Sequence, residues 1–139
     1  MTDSARENNR RMLHELLDIA INTNGYEKRK RDESGNLPTV FFFICGHTAD
    51  VTFSINKDGW VAGEEADYRT NIYFDEEISK EKVEEVRAEC MNALADKDEN
   101  AVLRRDIERK EAQLKALRAD INEMRKYLER RENHHEADA

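Results

Sequence analysis

Proline occurs once, tryptophan once, cysteine twice and glycine five times in this 139-residue chain. The two cysteines, Cys45 and Cys90, fall in segments of different character, so a disulfide framework is not the basis of the fold, and a reducing compartment fits better. The longest unbroken apolar run, Val40–Cys45, is six residues, far short of the roughly 20 that a membrane-spanning helix needs. Met1 to Arg11 is polar and charged and offers no apolar core for a secretory signal, so a cytoplasmic protein of a bacterial host cell is expected. Glycine-rich phosphate loops are missing too, since Gly46, Gly59 and Gly63 stand alone and each has a turn explanation. Hydrophobic residues make up 38%, below the roughly 45–50% apolar content of ordinary globular domains, which places part of the chain outside a compact core.

What the sequence has in excess is charge, at 39% of residues, with a net charge of −8. Residues 1–31 carry a net +2, residues 32–78 a net −8 and residues 79–139 a net −2, so the middle third accounts for the imbalance. There Asp50, Asp58, Glu64, Glu65, Asp67, Asp75, Glu76 and Glu77 stand in or beside a small sheet whose only cations are Lys57 and Arg69. Such a surface attracts a basic partner and repels nucleic acid, although acidic residues also serve simply to solubilise turns and sheet edges.

Along the chain, Met12, Leu13, Leu16, Leu17, Ala20 and Ile21 recur at helical spacing, with Ser4 as a cap and Asn24-Gly25 as a stop. Residues 28–38 contain the cationic run Lys28-Arg29-Lys30-Arg31 and several breakers, and read as a mobile loop. Thr39–Cys45, Val51–Ile55 and Asn71–Phe74 read as strands, with Trp60-Val61 as the start of a further short one. Val40–Cys45 is apolar on both faces, the pattern of a central strand covered on both sides.

Ser79 caps a helix that carries Val83, Val86, Cys90, Met91 and Leu94 on one stripe, with Ile78 as staple. Asp96–Asn100 has no apolar residue and breaks this helix from the next, with Asp98 or Asn100 capping the new start. From there Leu103, Ile107, Leu114, Leu117, Ile121, Met124 and Leu128, with Lys110 as the one polar member, fill the a and d sites of a heptad over residues 101–131. This seam predicts a homodimer, and residues 132–139 a disordered tail. The expected fold is thus α+β: residues 1–95 form an N-terminal helix, a three- to four-stranded antiparallel meander and a further helix, followed by the long coiled-coil-like helix.

Chemistry-bearing groups are sparse. Cys45, His47 and nearby Asp50 are the only nucleophile, base and carboxylate cluster, but alternate residues on a strand lie side by side and are not aimed at one point. Cys45 and His47, with His14 or Cys90, lack the paired spacing of a structural zinc site, and His134-His135-Glu136 sits at the chain end, so no metal, cofactor or catalysis is expected. Arg104, Arg105 and Arg109 at the start of the long helix form a candidate grip for a nucleotide signal, although Asp106 and Glu108 are interleaved with them.

The order of a helix, the Pro38–Phe43 strand, the Gly46-His47 turn, an alternating strand, the Asp58-Gly59-Trp60 turn and the Asn71–Asp75 strand resembles small proteins carried by phages and mobile elements of gut bacteria, over about residues 37–76. In general character the chain is similar to anti-CRISPR and related anti-defence proteins. That resemblance implies a non-enzymatic inhibitor whose acidic sheet surface occupies a basic nucleic-acid-binding protein, such as a CRISPR effector. The alternatives are an oligomeric sponge for a nucleotide, or a structural coiled-coil dimer without a ligand.

Overall fold

The structure is a computed structural model that describes residues 1–95 and 98–137. It is α+β, with α1 (Asp3–Asn24), α2 (Arg31–Ser34), β1 (Thr39–Cys45), β2 (Asp50–Asn56), β3 (Tyr68–Tyr73), α3 (Lys80–Ala95) and α4 (Glu99–Ala137) in chain order. The chain divides into two units at residues 97 and 98.

In the first unit the strands form an antiparallel meander in the order β1-β2-β3. Alternation in β2 fixes the register: Val51, Phe53 and Ile55 point to one face and are fully buried. Opposite them on the same face stand Val40 and Phe42 of β1 and Tyr68 and Ile72 of β3. α1 and α3 cover this face, contributing Leu16, Ile19, Ala20, Val83, Val86, Cys90 and Ala93 to one core. The expected stripes are therefore rotated slightly. Ile19 and Ala93 are buried, whereas Leu17, Ile21, Met91 and Leu94 remain exposed at the margins.

Several local expectations are corrected. The α1 cap is Thr2, whose Oγ1 accepts from the Ala5 N–H at 3.1 Å, two residues ahead of the expected Ser4. β1 is an edge strand and not the central one; its face away from the helices is left open, with Phe43 61% exposed, and Ile44, near the strand's end on the opposite face, is 67% exposed. Trp60-Val61 forms no strand. The Trp60 N–H donates to Thr39 Oγ1 at 3.2 Å, and its carbonyl accepts from the Arg31 N–H at 3.1 Å.

The segment expected as a mobile loop is anchored, most extensively at Arg31. Arg31 opens the α2 turn and sends its guanidinium into the β2–β3 connection, where Nη1 and Nη2 meet the Glu64 carboxylate at 3.2 and 2.8 Å and Nε donates to the Asp58 carbonyl at 2.9 Å. Gly59, at φ 87°, makes this approach possible, because a Cβ there would stand 2.7 Å from the Gly35 carbonyl oxygen. A second clamp is Asn9, buried on α1: its Nδ2 donates to the Glu76 carbonyl at 2.6 Å and its Oδ1 accepts from the Ile78 N–H at 2.8 Å. Asn9 thereby fixes the passage from β3 into α3. Ser79 caps α3 as expected, accepting from the Lys82 N–H at 3.1 Å.

The second unit is α4. Asp98 Oδ1 accepts from the Asn100 N–H at 3.0 Å, so a new cap starts this helix after α3 has ended at Ala95. Asp96 and Lys97, part of the expected break, lie outside the described residues, as do residues 138 and 139 of the expected tail. The helix runs on through Ala137, six residues past its expected end at Arg131. At 1.5 Å per residue it is about 58 Å long.

Candidate association surfaces

The eight acidic residues do not form one surface. Asp58 is 1% exposed, and Asp50, at 7%, accepts from the Thr48 hydroxyl. Glu64 is held by Arg31, with only 11% of its side chain exposed. Asp67 accepts from the Lys57 N–H at 2.7 Å and closes the turn after β2. These four carboxylates build the fold, which withdraws buried Asp58 and Asp50 from the expected partner surface. Glu65, Asp75, Glu76 and Glu77 remain exposed, the last three as a run at the end of β3. The reason is geometric. Connections between strands draw acidic residues into bonds with main-chain N–H, hydroxyl and guanidinium groups, so charge counted along the sequence overstates charge presented to a partner.

α4 shows the opposite behaviour. Leu103, Ile107, Leu114, Leu117, Ile121, Met124 and Leu128 are all exposed, from 39% at Ile121 to 69% at Met124. Seven large apolar side chains on one seam of a helix leave a stripe that ordinary soluble surfaces do not carry. Lys110, the one polar member of the seam, is exposed as well, and around the seam exposed Glu111, Arg118 and Asp120 are among the polar flanking residues. Solvent alone gives such a helix no reason to repeat its apolar residues every seven positions, whereas a partner helix does.

The arginine trio lies among acidic neighbours on α4. Arg109 Nη1 pairs with Asp106 Oδ1 at 3.0 Å one turn away on the same helix, while Arg104 is exposed and Arg105 half-buried. Interleaved Asp106 thus engages at least one member of the trio.

Cys45, the last residue of β1, and His47, in the β1–β2 turn, are both exposed. The Cys45 thiol is held below its ordinary range, chiefly by hydrogen bonding from the Thr48 side chain and main chain, with a smaller main-chain contribution from His47. The imidazole takes no part, so a thiolate–imidazole dyad is not assembled. Cys90 behaves oppositely, because burial in the core pushes its thiol up. Among the described residues no group of three or more His, Cys, Asp or Glu side chains is placed to hold a metal ion. Among them, too, no helix is long and apolar enough to cross a membrane.

A surface the sequence did not disclose is the free edge of β1. Phe41 and Phe43 stack at 6.2 Å on the sheet face away from the helices, and Ile44 is exposed on the opposite face near the end of the strand. The uncharged run Thr39–Cys45 was the available signal, since an edge strand without a charge or proline is unprotected against pairing. Together these features define the class as a small α+β unit followed by a long amphipathic helix. Comparison with protein-family models, curated proteins and solved structures finds no match.

Proposed function

We propose that this chain is a non-enzymatic association protein in which α4 pairs two copies along its heptad seam, each copy presenting its α+β unit to a partner. The observation that carries this reading is the seam of seven exposed apolar residues, Leu103 to Leu128. Removing the rest of each side chain from water is worth on the order of 1 kcal/mol, so seven per chain suffice to offset the several kcal/mol that association costs. Neither the scattered carboxylates nor the exposed Cys45 provides a comparable cluster. Sedimentation equilibrium of the full chain tests the proposal. A dimer or higher oligomer at micromolar concentration that becomes a monomer in the Leu114→Asp/Leu117→Asp variant is the expected outcome; a wild-type monomer at 100 micromolar (about 10⁻⁴ M, where the binding free energy is only about −5.5 kcal/mol) would end it.

A second reading concerns what the α+β unit presents. Glu65, Asp75, Glu76 and Glu77 stay exposed and form no ion pair among the described residues, which favours a basic partner, such as a nucleic-acid-binding protein blocked by the contact. Capture of such a protein at low salt, lost when Asp75, Glu76 and Glu77 are reversed to Lys, would support this reading, and capture unaffected by the reversal would reject it.

A further inference from the structure

The β1 edge carries an inference separate from the α4 seam. Asn24, at the end of α1, binds both outward main-chain groups of Val40: its Oδ1 accepts from the Val40 N–H at 2.7 Å and its Nδ2 donates to the Val40 carbonyl at 2.9 Å. Val40 therefore points away from β2, and antiparallel alternation gives Phe42 and Ile44 the same outward direction, while Thr39, Phe41, Phe43 and Cys45 bond to β2. No hydrogen bond among the described residues engages the outward groups of Phe42 and Ile44. The strand thus has one capped outward residue followed by two open ones, with no charge along its length to deter pairing.

We propose that this edge pairs with the β1 edge of a second copy, antiparallel about a two-fold axis at Phe43, so that Phe42 bonds to the partner subunit's Ile44 and Ile44 to the partner subunit's Phe42. This register uses all four open groups and leaves the Asn24 clamp in place. A shift by two residues in one direction displaces Asn24 from Val40, and in the other direction leaves Phe42 without a strand partner. Phe43 then faces the partner subunit's Phe43 across a non-hydrogen-bonded pair, and Phe41 faces the partner subunit's Cys45, extending the exposed aromatic stack.

Charge selects a second copy over an unrelated strand. Thr39 Oγ1 donates to the Arg29 carbonyl at 3.1 Å, which sets the exposed cations Lys28 and Lys30 beside the start of β1. At the other end the Phe74 N–H donates to the Ala49 carbonyl at 2.9 Å, which sets Asp75, Glu76 and Glu77 beside the turn that follows β1. An antiparallel two-fold brings the cationic end of each copy toward the acidic end of the other. With strands about 4.8 Å apart these groups lie on the order of 10–15 Å from one another, so they orient the approach without forming contacts.

Mild oxidation of the full chain, followed by a non-reducing gel, tests the register. Disulfides need Cα atoms within about 7 Å, so Phe43→Cys in a Cys45→Ser background is expected to trap a covalent dimer, and Phe41→Cys in the same background is not. Phe41→Cys with Cys45 retained is expected to trap one again, since position 41 opposes position 45 of the partner. Equal trapping by all three, or by none, overturns the proposal. Repeating the series with Leu114→Asp/Leu117→Asp separates the two interfaces: the positional pattern belongs to β1 and persists there at higher protein concentration, whereas its loss at every concentration assigns the trapping to α4 alone and also overturns it.

Discussion

Arg31→Ala should destabilise the α+β unit by about 2–3 kcal/mol. Breaking an enclosed ion pair by removing one partner costs about 3–5 kcal/mol, because the charge left behind has lost both its counterion and its water. Here the Glu64 side chain is 11% exposed and Arg31 22%, so removing the guanidinium opens a path for water to Glu64 and moves the cost to the lower side of that range. The bonds from Arg31 to the carbonyls of Asp58 at 2.9 Å and Gly59 at 3.3 Å are lost as well. Arg31→Lys keeps a charge but not the planar fork, and should cost roughly half as much. Trp60 is the only tryptophan, and its carbonyl accepts from the Arg31 N–H at 3.1 Å, so its fluorescence reports this region directly. Urea titrations followed by that signal should show a lower midpoint with an unchanged slope. For a unit of this size the melting temperature falls by about 4–8 °C per kcal/mol, hence by roughly 10 °C or more. A loss below about 0.5 kcal/mol would mean that Arg31–Ser34 is not held as described and would refute the reasoning, since exposed ion pairs are worth about that little.

Three further outcomes follow from the packing. Phe53→Ala, at a fully buried position on the central strand, should cost about 3–5 kcal/mol in the same titration. Asn9→Ala removes the clamp on the Glu76 carbonyl and the Ile78 N–H, and should cost about 2–3 kcal/mol, with faster hydrogen exchange at Ile78. Alkylation should modify Cys45 and spare Cys90 in the native protein. Because Thr48 holds the Cys45 thiol low, the pH midpoint of that reaction should lie below that of an ordinary thiol and rise in Thr48→Ala.

What could be read from the sequence follows the range of the interactions involved. Ser79 and its N–H partner lie three residues apart, the alternation of Val51, Phe53 and Ile55 spans five residues, and the heptad of α4 repeats along a single helix. Each of these signals is local, and each element formed, α4 running past its expected end. The fate of β1 is decided elsewhere. An apolar run is equally compatible with a covered strand and an open edge, and only the pairing of β2 with β3 leaves β1 outside. Likewise, nothing adjacent to Arg31 marks its partner Glu64, 33 residues away, nor does the sequence around Asn9 announce Ile78, 69 residues away. The same holds for the acidic residues, since charge is visible in a sequence and burial such as that of Asp58 is not.

Hydrogen exchange along α4 at two protein concentrations tests the central claim most directly. If the seam pairs two copies, the amides from Leu114 to Met124 should gain protection as concentration rises, while those of Leu16 and Phe53 in the core of the α+β unit stay unchanged. Protection of α4 that is independent of concentration would contradict association through this helix, whatever the β1 edge does.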